Sequence, residues 1–155
     1  MSIIVYKTTN SLKMQEYKIK IGFENMDIDS IHHFLSTQSY WAKGISFEIV
    51  KESLQNSFCI GTFYKNKQVG FARLITDYAT FAYLADVYVI DAHRRKGISK
   101  MMIKHMMDQE WTNHLRRLLL ATLDAHSLYS QFGYLPLKNP ERFMEINRPD
   151  IYITK

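Results

Sequence analysis

A chain of 155 residues is long enough for one domain with a single sizeable core. With 46% apolar and 23% charged residues it has the composition of a folded globular protein rather than a disordered one. The one cysteine, Cys59, excludes an intrachain disulfide, and the net charge of +5 is compatible with a polyanionic small ligand or with nucleic acid without choosing between them.

The chain opens with MSIIVYKTTN, an apolar run too short for a secretory leader. No stretch approaches membrane-spanning length, so the expectation is a cytoplasmic protein with no membrane partner. Residues 1–15 carry a candidate short strand at Ile3, Ile4 and Val5 and are otherwise an N-terminal extension without a clear pattern. Tyr17, Ile19 and Ile21 alternate with lysines, which predicts a first strand. Ile28, Ile31, His32 and Leu35 then recur at helical spacing. The adjacent pair His32 and His33 would point in different directions on that helix, so no shared metal is expected there. Tyr40 and Trp41 stand side by side in a loop, where such rings either contact a ligand or plug the core. Ser46 is a candidate N-cap for a helix with Phe47, Ile49, Val50 and Leu54 on its apolar side.

Ser57–Tyr64 and Val69–Thr76 read as two strands of a hairpin turning at Lys65–Gln68. Cys59 falls within the first of them, as a buried, inert thiol would. After a turn at Asp77–Thr80, Phe81–Ile90 is a third strand, in which Ala85, Val87 and Val89 alternate with Asp86, Tyr88 and Ile90. A polar, basic loop follows, and then a helix with Ile98, Met101, Met102, His105 and Met106 along one stripe. The first N–H groups of that helix have no intrahelical partner and sit at the positive end of its dipole. His93, Arg94, Arg95, Lys96 and Lys100 gather at the same place, and Gly97 permits a tight turn. A strand feeding a basic, glycine-containing loop at a helix start is a site for a phosphorylated ligand. Further on, the continuous run Leu118–Thr122 predicts a strand buried on both faces, as in a parallel pair. Asp124–Tyr129 begins a short helix with Gly133 as its C-cap, and Phe143–Ile146 is a candidate last strand.

Two stretches carry a family resemblance. Arg94-Arg95-Lys96-Gly97-Ile98-Ser99 resembles the [Q/R]-x-x-G-x-[G/A] acetyl-coenzyme A motif of the GNAT superfamily of N-acetyltransferases, with Ser99 where glycine or alanine is usual. Leu128-Tyr129-Ser130-Gln131-Phe132-Gly133-Tyr134 resembles the family's later LY-x-x-x-G-[FY] segment. The two occur in family order and at about family spacing, and the likeness covers about residues 17–137, that of a small bacterial-type member. It implies an α/β (α+β) GNAT fold over residues 1–155 as a single domain. Such a fold has a mixed, mostly antiparallel sheet of about six to seven strands, flanked by about four helices and splayed at its two central parallel strands.

The implied activity is transfer of an acetyl group from acetyl-coenzyme A directly to a primary amine of a small molecule, with no metal. The resemblance gives the cofactor to Val87, Tyr88 and Val89 for the pantetheine arm, and to Arg94, Arg95, Lys96, Gly97, Ile98, Ser99 and Lys100 for the phosphates. It makes Tyr129 the general acid, a role its phenol suits because it keeps its proton at neutral pH. Asp86 is the candidate base, or else a structural partner of an arginine such as Arg73, since a carboxylate within a sheet is costly unless paired. Tyr40, Trp41, Tyr78, Asp124 and His126 are the candidate acceptor contacts. Family analogy favours ligand contact for Tyr40 and Trp41, and Asp77, Asp124 and His126 are further candidates for the base. Two other classes stay open at this point: a binder or sensor of acetyl-coenzyme A without turnover, and a nucleic-acid-binding protein, for which no recognisable module appears. A monomer or a homodimer fits equally.

Overall fold

The computed structural model describes residues 14–153, so the expected strand at Ile3–Val5 lies outside the described residues. The order of elements is β1 (Tyr17–Ile21), α1 (Ile28–Thr37), α2 (Phe47–Gln55), β2 (Phe58–Tyr64), β3 (Lys67–Thr76), β4 (Phe81–Val89), α3 (Ile98–Met107), β5 (Arg117–Leu119) and α4 (His126–Ser130). The five strands form one sheet in sequence order, antiparallel from β1 to β4 and parallel between β4 and β5. The mixed, mostly antiparallel sheet with four flanking helices is the expected architecture, with five strands among the described residues where the resemblance implies about six to seven.

Helices cover both faces of the sheet. On one side α1 and α2 bury Ile31, Phe34, Leu35, Val50 and Leu54 against Cys59, Phe63, Phe71 and Tyr88. On the other, α3 buries Ile98, Met102, Ile103 and Met106 against Ile60, Val69, Leu74, Leu84 and Tyr129. Each fully buried side chain of this size contributes about 1.5–3 kcal/mol relative to exposure. Capping fixes where the helices begin. The Asp27 carboxylate accepts from the Ser30 amide at 3.0 Å, and the Ser46 hydroxyl accepts from the Ile49 amide at 3.4 Å. Each such cap is worth about 1 kcal/mol.

Four local expectations are corrected. Ile49 is exposed, because only Val50 and Leu54 of α2 reach the sheet. His105, which the sequence pattern places in the α3 stripe, is exposed with its Nδ1 2.8 Å from the Met101 carbonyl, and Ile103, which that pattern omits, is buried with Ile98, Met102 and Met106. Of the apolar run Leu118–Thr122 only Leu118 and Leu119 lie in a strand, and β5 is half-buried, with no strand pairing with its outer edge among the described residues. Phe143–Ile146 is extended but unpaired, with Met144 and Ile146 exposed.

One irregularity sits inside β4. Phe71 pairs with Tyr88 and Arg73 with Ala85, so Ala72 stands opposite two residues, Asp86 and Val87. Asp86 adopts φ 55°, the left-handed region that a non-glycine residue rarely enters. The result is a β-bulge, which shifts the side-chain phase of the strand. Before it Ala82 and Leu84 face α3; after it Val87 and Val89 do, while Tyr88 turns to the other face and stacks on Phe34 at 3.7 Å. The uniform alternation read from the sequence therefore holds on each side of Asp86 but not across it.

Candidate active site

The site forms where the sheet stops being continuous. β4 and β5 pair only at Phe81, Ala82 and Tyr83 with Arg117, Leu118 and Leu119. Beyond Tyr83 the strands separate, and among the described residues the β4 edge from Leu84 to Val89 has no strand beside it on that side. A cleft of about 470 Å³ occupies the gap. Its walls are Tyr83–Val87 of β4, Leu120–Ala125 beyond β5, Tyr129 of α4, and Tyr40 and Trp41 from the loop after α1. The volume is in the range of small-molecule sites.

The basic loop lies at the end of β4. Arg95 (φ 59°) and Gly97 (φ 80°) are both left-handed, and this turns successive amides toward one side as α3 begins. A Cβ placed on Gly97 would meet no atom within 4 Å, so the space above the loop is open. The cationic side chains divide into two groups. Arg94 is used inside the loop: its Nε donates to the Val89 carbonyl at 2.8 Å and its Nη1 pairs with Asp91 at 2.6 Å. Lys96 likewise donates to the Ala92 carbonyl at 3.2 Å. Arg95 and Lys100 have no partner among the described residues. Of the cations assigned to phosphate from the sequence, Arg94 and Lys96 are thus braces of the loop, and Arg95, Lys100 and the amides of Gly97–Ser99 are the free donors.

A contact that sequence reasoning missed holds this loop in place. The Tyr17 hydroxyl lies 2.8 Å from Nδ1 of His93, whose ring also packs edge-on to Tyr17 and tilted on Tyr64. Burial and the neighbouring Lys96 charge lower the His93 pKa, which favours the neutral ring. Nothing in the sequence signals a pairing across 76 positions.

The bulge decides the role of Asp86. Its Oδ2 accepts from Arg73 Nε at 2.6 Å and its Oδ1 from the Trp41 indole N–H at 2.8 Å, while Arg73 Nη1 also donates to the Ser57 hydroxyl at 3.0 Å. Both carboxylate oxygens are occupied, one by a permanent cation. Of the two readings the sequence leaves open, the geometry fits the arginine partner; a proton acceptor in the cleft does not fit it. What the arrangement does is fix the Trp41 ring beside the cleft, with Tyr40 packed edge-on to it at 5.0 Å between ring centroids.

Tyr129 is 9% exposed and lines the cleft from α4. Burial, helped by the nearby Tyr40 and Asp124, raises its pKa, so the phenol holds its proton firmly. Tyr134 packs edge-on at 6.1 Å behind it, and its own phenol is pushed up to about 12, chiefly by burial. Asp124 lines the same cleft, and its carboxylate has no hydrogen-bond or ion-pair partner among the described residues.

Two candidate acceptor contacts are not brought to the cleft. Tyr78, at φ 61°, sits in a turn capped by Asp77, whose carboxylate accepts from the amides of Ala79, Thr80 and Phe81. That turn lays the Tyr78 ring on Trp111, 4.8 Å away, at the far end of the sheet. His126 opens α4 on the other flank of β5, in a larger cavity of about 890 Å³ that touches neither β4 nor the basic loop. Tyr129 lines both this cavity and the cleft, so His126, three residues before it, shares the larger cavity with Tyr129 but does not line the cleft itself. Cys59 is fully buried, 3.3 Å from the Leu54 carbonyl, and burial pushes its thiol up to about 12, consistent with an inert role. Among the described residues no cluster of His, Cys, Asp or Glu has the makings of a metal site, and no helix is long and apolar enough to cross a membrane.

Comparison with known proteins bears on all of this. The sequence model of the acetyltransferase (GNAT) family matches residues 28–134. A Gibberella zeae protein, named provisionally as an acetyltransferase, is 30% identical over 137 residues, covering 75% of this chain and 77% of its own. A crystal structure of a Xanthomonas campestris pv. campestris protein, assigned provisionally to the GNAT family, is 41% identical, with a TM-score of 0.84 over 88% of this chain and 98% of that one. A GNAT-family acetyltransferase of Streptococcus pneumoniae, at 20% identity and a TM-score of 0.67 over 85% of this chain and 98% of its own, shares the fold.

Proposed function

We propose that this chain, which belongs to the GNAT family of acetyltransferases, moves an acetyl group from acetyl-coenzyme A to the primary amine of a small molecule by direct transfer. Members of the family use acetyl-coenzyme A. The single observation that carries the reading for this chain is the unpaired β4 edge, which runs from the aromatic cleft at Tyr83–Val87 to the free amides at Gly97–Ser99. An extended arm with a phosphorylated end fits that shape. Val87, Tyr88 and Val89 lie along the β4 edge that suits the arm, with the Val89 carbonyl already taken by Arg94 Nε, and Arg95, Lys100 and the amides at the start of α3 suit its phosphates. Ile98 is buried beneath, so it supports the loop through its side chain while offering its N–H. Ser99 keeps its N–H where the family usually has a smaller residue.

In the reaction the neutral amine nitrogen attacks the thioester carbon, a C–N bond forms and the C–S bond breaks. The nitrogen loses one proton and the sulfur gains one. Tyr129 supplies the proton to sulfur; its raised pKa means that the proton is present at neutral pH and moves only as thiolate character develops. The amine's proton leaves past Asp124, through water at the mouth of the cleft, and Asp86 takes no part beyond holding Trp41. Most of the rate comes from holding thioester and amine in attack geometry. Residues 1–155 act as one domain in this account, in the cytoplasm, as monomer or homodimer, with no metal, membrane or nucleic-acid partner.

Calorimetry with acetyl-coenzyme A, followed by thiol release over a panel of amines, tests the proposal. Binding together with thiol release that depends on an amine supports it. Binding with no release for any amine would favour the sensor reading, and binding of nucleic acid with a steep salt dependence would favour the third.

A further inference from the structure

The charge inside the cleft is distinctive. Of its fourteen lining residues only Asp86 and Asp124 are charged, and none is a lysine, arginine or histidine. Asp86 is already neutralised by Arg73 at 2.6 Å, which leaves Asp124 as the one uncompensated charge, in a protein whose net charge is +5. Four rings line the cleft with it, Tyr40, Trp41, Tyr83 and the proposed acid Tyr129. Trp41 is held by the Asp86 hydrogen bond, and Tyr40 packs on Trp41, so both are set before any ligand arrives.

Resting on the acetyltransferase reading, we infer that the acceptor is a small monocationic amine with an apolar or aromatic body and no carboxylate, such as an arylalkylamine rather than the corresponding amino acid. The ammonium is attracted to Asp124 and to the ring faces, and the apolar body lies among Tyr40, Trp41 and Tyr83. A carboxylate on the same molecule would meet no cation in the cleft and would be repelled by Asp124. The like-charge contact, together with the loss of hydration, disfavours amino acids and acidic acceptors. Polycations fare no better, because a second ammonium finds no second free carboxylate there. The basic loop does not offset this selection, since its free charges are committed to the phosphates at the other end of β4.

The test compares 2-phenylethylamine, phenylalanine and phenylalanine methyl ester as acceptors, using the full chain and acetyl-coenzyme A. The three share a ring and a primary amine and differ in the carboxylate. The expected result is turnover of 2-phenylethylamine and of the ester, with phenylalanine lower in kcat/KM by on the order of 10²-fold. In Asp124→Asn the preference for 2-phenylethylamine over phenylalanine should shrink at least tenfold, while acetyl-coenzyme A affinity, measured separately by calorimetry, stays the same. Equal turnover of phenylalanine overturns the inference and leaves the acetyltransferase reading standing. So does coenzyme binding without turnover of 2-phenylethylamine while another amine is acetylated. Failure to bind acetyl-coenzyme A at all removes both.

Discussion

From β1 to β4 neighbouring strands pair along most of their length, with register shifts at Thr62/Phe63 and opposite Asp86; from β4 to β5 the sheet is paired for three residues and then opens. The first region is closed by complementary patterns. Its strands put their apolar residues against the helices, on both faces for β2 and β3 and on one face for β1, and each inner edge finds a partner. In the second region the β4 edge beyond Tyr83 has no described strand beside it. Most features of the candidate site gather at this opening: the free β4 edge, the loop with left-handed Arg95 and Gly97, and the buried phenol of Tyr129, with the bulge at Asp86 on its border. The continuous half provides a rigid frame, and the open half carries the chemistry on it. Strain and unpaired groups at one place in an otherwise consistent fold are what a functional site looks like in physical terms.

Changes in the open half should spare the fold and remove function, and the largest of these is expected at Gly97. Gly97→Glu puts a side chain into the open space above the loop, at a φ that disfavours it, and brings a negative charge to the phosphate position. Acetyl-coenzyme A binding should fall below detection by calorimetry while the circular dichroism of the sheet persists. Next in size is Tyr129→Phe. It keeps the ring in the core and removes the hydroxyl, so kcat and kcat/KM should fall together by on the order of 10²–10⁴-fold, with coenzyme affinity little changed. Near-normal kcat in that variant would make Tyr129 a packing residue.

The border between the halves should respond in a mixed way. Arg73 and Asp86 have side chains 14% and 9% exposed, so Arg73→Met leaves a carboxylate largely out of water without its cation. The expected cost is about 3 kcal/mol in urea unfolding. Adding Asp86→Asn to that variant should recover much of it. The double variant should nevertheless bind acceptor more weakly, because Trp41 loses a charged acceptor for its N–H.

The smallest effect concerns the phenols buried behind the site. Tyr134 has its pKa raised to about 12, and Tyr88 and Tyr129 shift in the same direction. With folded values above unfolded ones, the unfolded chain gives up these protons first as pH rises. Stability is then fully present below about pH 10 and declines from there toward about pH 12. Urea midpoints measured across that range should fall, and Tyr134→Phe should fall less steeply.

The same contrast explains what could be read from the sequence. The strands of the continuous half are legible because their alternation is enforced by burial on a helix-covered face. The Ser46 cap, the Gly97 turn and the hairpin at Lys65–Gln68 are legible because their residue types have few other uses. Within the site, Tyr129, the 94–99 loop, and Tyr40 with Trp41 were found by motif or by ring chemistry. Placement of the others depended on events no local pattern records. The bulge that turns Asp86 toward Arg73 and Trp41 breaks a period-2 pattern without any glycine or proline to mark it. The Asp77-capped turn carries Tyr78 away to Trp111, and the direction of α4 puts His126 on the far flank of β5. The apolar run at Leu118–Thr122 reads as a fully buried strand, but among the described residues no strand lies on the outer edge of β5.

The opening between β4 and β5, continued by the Arg95–Ser99 loop, is the proposed coenzyme site. Backbone amide NMR of the uniformly ¹⁵N-labelled chain, titrated with acetyl-coenzyme A, reports on it residue by residue. Shifts are expected to concentrate at Leu84–Val89 and Arg95–Lys100, with the amides of β1 and β2 unmoved. Shifts centred instead on the cavity beyond β5, around Leu135–Lys138, with the β4 and loop amides unchanged, would contradict it.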